Sequence, residues 1–116
     1  MARAISRKRT IRHVLLSDAD APEEEKTELI LKPVSYSLEQ RVLSMLEQSV
    51  GMSTSITHTL CKESIQGFVP GRELKDEDGN PVKFKRDKNL KVHDRILSML
   101  SHEDRSGIAL ELGKSF

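Results

Sequence analysis

The chain has 116 residues, 36% hydrophobic and 3% aromatic with no Trp, which fits one domain with a modest core of Leu, Ile, Val and Met. Charged residues make up 32% of it, yet the formal net charge is only +1, which argues against a uniformly basic surface built for nucleic acid. No apolar run reaches the roughly 18 residues of a membrane span, the basic start lacks the apolar stretch of a secretory signal, and the single Cys61 leaves no internal disulfide and fits a reducing compartment.

Residues 1–9 read as a basic arm ahead of a single α+β domain over residues 10–116. Arg3, Arg7, Lys8, Arg9 and Arg12 occur with no acid among residues 1–13. Asp18, Asp20, Glu23, Glu24 and Glu25 then follow with no base among residues 18–25. Segregation of this kind marks segments that touch other molecules or each other. The five basic residues are therefore interaction candidates, and the acidic loop could receive a neighbour's arm.

Thr10 to Leu16 is β-branched and apolar, which predicts a strand. Thr27 to Val34 alternates Leu29 and Leu31 against Glu28, Ile30 and Lys32, which predicts a second strand, with Pro33 at its end. The acidic loop between them completes an N-terminal β-hairpin. Ser37 and Gln40 have the spacing of a capping box. Leu38, Val42, Met45 and Leu46 follow at helical spacing, so a helix is expected over 38–50, stopped by Gly51. A second helix, capped by Ser53 or Thr54, should run through Ile56, Leu60 and Ile65 to Gly67.

Next comes a central β-hairpin. Asp78-Gly79 between two apolar-containing runs signals a tight turn, because Gly supplies the positive φ without steric cost. Phe68, Val69 and Leu74 lie before it. Val82 and Phe84 lie after it, alternating with Lys83 and Lys85. Leu90, Val92, Ile96, Met99 and Leu100 predict a third helix over 89–100. Ser101, with Asp104 three residues on, starts a fourth, with Ile108, Ala109 and Leu112 as its apolar face and Gly113 as its stop. Leu-Ser-Met-Leu occurs at 43–46 and again at 97–100, but the flanks differ, so the match reflects helix-face composition rather than a duplication. The expected core is Leu31, Val42, Met45, Leu46, Leu60, Phe68, Phe84, Ile96, Leu100 and Ile108.

Four chemistries can be weighed. His58 and Cys61 are spaced to share a helix face, but a structural zinc site needs four ligands. Asp76, Asp78 and Asn80 resemble the start of a calcium loop, but Pro81 and Asp87 stand where Gly and Glu are required. No serine sits in a Gly-flanked elbow and there is no Gly-rich phosphate loop, so no enzyme activity and no cofactor are expected. The basic arm with Lys83, Lys85, Arg86 and Lys88 could meet phosphate, but aromatics for base stacking are scarce.

TELILKPVS followed by a capped helix resembles the opening of small proteins encoded among the tail genes of tailed bacteriophages. IQGFVPGRELKDEDGNPVKF resembles their later block, an apolar-Gly step followed by an acidic turn and an apolar-x-Phe strand. ILSMLSHEDRSGIALEL resembles their terminal helical segment. The resemblance covers roughly residues 27–112. Family members often carry Trp after the Gly, where this chain has Phe68 after Gly67, and the basic arm and acidic loop lie outside the pattern. The resemblance implies a non-enzymatic protein of the tail or virion. It would be a small structural subunit, or a tail assembly chaperone that shields the tape-measure protein and is absent from the mature particle. Its implied partners are other phage structural proteins in a homo- or hetero-oligomer, with nucleic acid the less favoured partner and no membrane. Its implied place is the virion, or the host cytoplasm during assembly.

Overall fold

The structure, a computed structural model, describes residues 9–48 and 54–114. It is a mixed α+β body with three strands and four helices. Strand β1, Ile11–Val14, pairs antiparallel with β2, Glu28–Leu31, matching Ile11 to Leu31 and Val14 to Glu28. This is the expected N-terminal hairpin. The acidic loop is shaped by two short 3-10 turns, Leu16–Asp18 and Glu23–Glu25. Asp18 Oδ2 accepts the Thr27 amide at 2.9 Å and closes the loop on itself. Leu29 and Leu31 are fully buried on the inner face, as the alternation predicts.

Strand β3, Ile65–Phe68, lies on the other side of β2, giving the order β1-β2-β3. The expectation of helix through Ile65 to Gly67 is corrected here. Helix α2, Thr54–Ser64, passes into β3 with no loop, and the Lys32 amide donates to Ser64 O at 2.7 Å across the junction. The register pairs Leu29 with Phe68 and Leu31 with Ile65, with an irregularity between Ile30 and Leu31. Ile65 and Phe68 are three apart, so in a regular strand they would face opposite sides. The bulge absorbs the extra residue and lets both bury against the two leucines.

Helix α1, Tyr36–Glu47, is capped by Ser35 rather than Ser37, with Ser35 Oγ accepting the Leu38 amide at 3.1 Å. Pro33 and Val34 are both buried on leaving β2, which starts the helix early and turns Ser37 to solvent. Leu38 and Val42 are buried, while Met45 and Leu46 only pack at the margin of the core. Gly51 and Ser53 lie outside the described residues.

The central hairpin is short. Lys75 bridges Pro81, and the Val82 amide donates to Leu74 O at 2.7 Å. Its tip is built by Asp76, whose Oδ1 accepts the amides of Asp78 and Asn80, both at 2.9 Å. Gly79 has φ +81, the left-handed region expected for it. Phe84 meets Phe68 edge to face at 5.7 Å.

The third helix is corrected from 89–100 to α3, Asp94–Met99. Asp87 Oδ1 draws the amides of Asn89 and Lys91 into a tight turn, and Leu90 takes φ 62 there. Leu90 is thereby 74% exposed, while Val92 is fully buried. Helix α4, His102–Gly113, is capped by Ser101 as predicted and runs through Gly113 to a C-cap at Lys114. Asp104 does not complete a box. It is buried, and accepts the Ser17 amide at 2.9 Å and the Ser17 hydroxyl at 2.7 Å. Leu16 sits so close to Gly107 that an added Cβ would lie 2.7 Å from its side chain. Of the expected core residues, Leu31, Val42, Leu60, Phe68, Ile96, Leu100 and Ile108 are buried, and Met45, Leu46 and Phe84 are partly so. No helix among the described residues is long and apolar enough to cross a membrane.

Two measurements check this architecture. Leu60→Ala should cost about 2–5 kcal/mol in urea denaturation and Leu46→Ala clearly less, because only Leu60 is fully buried. Equal midpoints for the two variants would show that α2 does not face the core as described. Gly79→Ala should cost about 1–2 kcal/mol for the left-handed Cβ, and added calcium should leave the melting temperature unchanged. A silent Gly79→Ala combined with calcium-dependent stabilisation would replace the turn with a metal loop.

Candidate functional site

Segment 69–93 has no helix and no strand beyond its two bridges; backbone bonds tie its start to Glu28, and side chains fasten the rest. Lys62, on α2, donates to Val92 O at 2.6 Å and pairs with Asp94 at 2.7 Å and Asp87 at 2.9 Å. Desolvation pulls on the Lys62 ammonium, but the bonds to Asp94 and Asp87 outweigh it and raise its pKa above the ordinary lysine value. The same contacts act on the acids. The Lys62 bond, with the Lys91 amide behind it, holds Asp87 down to about 2, and Lys62 also lowers Asp94. Beside this knot Glu63 joins Lys91 and Arg41. Its carboxyl is lowered, chiefly by Lys91 and against its own desolvation. Arg86 completes the fastening by donating to Gln66 O and Leu90 O while lying 5.3 Å over the Phe84 ring.

These ties set the central hairpin against α3 and leave a half-open cleft of about 320 Å³ between them. Its floor is Val82, Ile96 and Met99, and its rim carries Lys83, Lys85 and Arg95. The rim cations have no acid partner among the described residues. His93 contributes its Nδ1 to the Arg95 amide, capping α3 at the cleft mouth. The one acid in the lining, Asp76, is committed to the turn through its Oδ1. Such a cleft can take an aliphatic side chain on its floor and carboxylates on its rim. A wider hollow of about 530 Å³ adjoins it, with Leu15 and Leu74 below and Asp18, Glu25 and Asp104 around. Met99 lines both.

Of the residues singled out in the sequence, Lys83 and Lys85, and Asp76 and Pro81 of the calcium-like stretch, line this cleft, and the others fall elsewhere. Arg3, Arg7 and Lys8 lie outside the described residues. Arg9 is exposed, and Arg12 lies on β1 and pairs with Glu28 at 3.1 Å within its own sheet. Asp78 and Gly79 form the turn tip near the cleft without lining it. Cys61 is buried and its thiol is pushed up to about 12 by burial, with Arg105 opposing. Its Sγ donates to Arg105 O at 3.5 Å. His58 points instead into a separate hollow with His102 and Arg105. Among the described residues no three or more His, Cys, Asp or Glu are grouped to hold a metal ion. The cleft was not predicted as a site. The sequence marked Lys83 and Lys85, both as phosphate candidates and by their alternation with Val82 and Phe84, but it gives no hint that α3 would face them.

No protein-family model, curated protein or solved structure matches the chain.

The Lys62 knot makes a pH prediction. Asp87 is depressed from 3.8 to about 2, so it stabilises the fold fully above pH 3.8, and that contribution is lost as pH falls towards 2. Lys62→Met should lower the urea midpoint at neutral pH and flatten its acid dependence over that window. A variant with the parent's acid slope would show that Lys62 does not carry the effect.

Proposed function

We propose that the chain is a non-enzymatic structural or interaction protein of a bacteriophage tail or virion, working through protein–protein contacts in assembly. The blocks that carry the resemblance lie together in one body. TELILKPVS supplies β2 and leads into the Ser35 cap of α1. IQGFVPGRELKDEDGNPVKF supplies β3, the Gly79 turn and one wall of the cleft, and ILSMLSHEDRSGIALEL supplies the facing wall and α4. The observation that carries the reading is the cleft itself. An apolar floor under cations with no acid partner among the described residues suits side chains of a protein partner, with the floor giving affinity and the rim giving register. A tail assembly chaperone would use the same kind of surface and leave before the particle matures.

Mass spectrometry of purified particles of the encoding phage should find the chain, and deleting its coding sequence should stop tail formation. Its presence in infected-cell lysate but not in particles moves the reading to the chaperone. Normal infectious particles from the deletion overturn both. A purified chain that binds DNA with an affinity falling steeply with salt would point instead to a nucleic-acid module using the basic arm.

A further inference from the structure

We infer that the cleft receives a second copy of this chain, docked about a two-fold axis at Met99. The inference rests on the reading of the cleft as a docking surface, and names its occupant. The cationic cleft and the acidic hollow are neighbours, and Met99 borders both while remaining 36% exposed. The chain crosses from one to the other between Lys75, which lines the hollow, and Asp76, which lines the cleft. On the basic side, Lys83, Lys85 and Arg95 have no acid partner among the described residues. On the acidic side, Glu25 lines the hollow, where Lys75 is the one base, and Asp20 and Glu24 lie on the same loop beyond it; all three acids are exposed and without a basic partner among the described residues. The acidic loop is held over its own hollow by the Asp18–Thr27 bond and by Glu23, which pairs with Lys26 and Arg72. It therefore presents its remaining carboxylates outward instead of folding into the cleft of its own chain.

A surface with a positive half and a negative half, joined at an apolar residue, is complementary to itself after a half-turn about the join. That is the requirement of a closed isologous dimer, in which each patch meets the other patch of its partner. The loop of one copy would then lie over the lysine rim of the other. The same contact would repeat in reverse, with the two Met99 side chains at the centre. Charge fixes orientation and speeds encounter in such an interface, and the buried centre supplies affinity.

Sedimentation equilibrium of the purified full chain tests this. The expected result is a monomer–dimer equilibrium that weakens as salt shortens the screening length from about 10 Å at 0.1 M to about 3 Å at 1 M. Lys83→Glu with Lys85→Glu should weaken the dimer about tenfold or more, and so should Glu24→Lys with Glu25→Lys, since each reverses one exposed half. Mixing the two double variants should restore a one-to-one dimer, because both contacts of the mixed pair again join opposite charges. Met99→Glu should give a monomer with an unchanged circular dichroism spectrum. A chain that is monomeric up to about 1 mM, a dimer indifferent to the reversals, or an open-ended assembly without a dimer plateau each overturns the inference. Because the measurement needs only the purified chain, a monomer here leaves particle incorporation to be decided separately.

Discussion

The Lys62 ammonium is the point on which the middle of this molecule depends. Segment 69–93 has only scattered backbone bonds and two isolated bridges in place of a continuous hydrogen-bond ladder. One cation on α2 gathers Asp87, Asp94 and the Val92 carbonyl. That contact fixes the start of α3, and with it the wall opposite the hairpin. Half-exposed ion pairs are individually weak, and the knot matters because it is joined to packing. Val92 and Ile96 are buried immediately beside it, and Phe84 reaches Phe68 from the other end of the segment. Among the described residues the cations on the cleft rim have no acid partner, while Asp87 and Asp94 are engaged with Lys62 and Asp76 with turn amides.

A buried carboxylate, Asp104, makes a second long-range tie. Asp104 holds Ser17 across 87 positions of sequence, and Gly107 lets Leu16 approach α4 more closely than any Cβ would permit. A buried acid with two donors is well satisfied. It joins the loop that begins the acidic hollow to the N-terminus of the last helix, so the first and last parts of the described chain share one core.

What could be read from the sequence was local. The hairpin of β1 and β2 follows from the alternation around Leu29 and Leu31, and α1 from its apolar spacing. The Gly79 turn follows from Asp-Gly, and the start of α4 from Ser101. What could not be read depended on distant partners. Ile65 fits a helix face as well as a strand, and only β2 decides the matter. Ser35 and Ser37 are equivalent caps until Pro33 and Val34 bury. The periodicity of 89–100 is real, but Asp87 captures two amides that a helix would have needed. The two Leu-Ser-Met-Leu stretches make the same point. Leu43 is exposed and Leu97 is buried, so identical residues carry different burdens once neighbours are present. Some core residues missed beforehand, such as Leu15 and Val92, lie just outside the elements, where burial depends on what folds over them.

The loopless passage from α2 into β3 sets how much slack the chain can tolerate. A helix turns by about 100° per residue and a strand reverses face at each step. One inserted residue near Ser64 would therefore either rotate Leu60 and Cys61 out of the core or turn Ile65 and Phe68 away from Leu31 and Leu29. The bulge opposite Ile30 already uses the one irregularity available at that point. The Asp76–Asn80 tip has no such coupling, since it projects into solvent and is closed by its own side chain. Variation in chain length is thus better tolerated at the tip than at the helix–strand junction, which acts as a fixed ruler between α2 and the sheet.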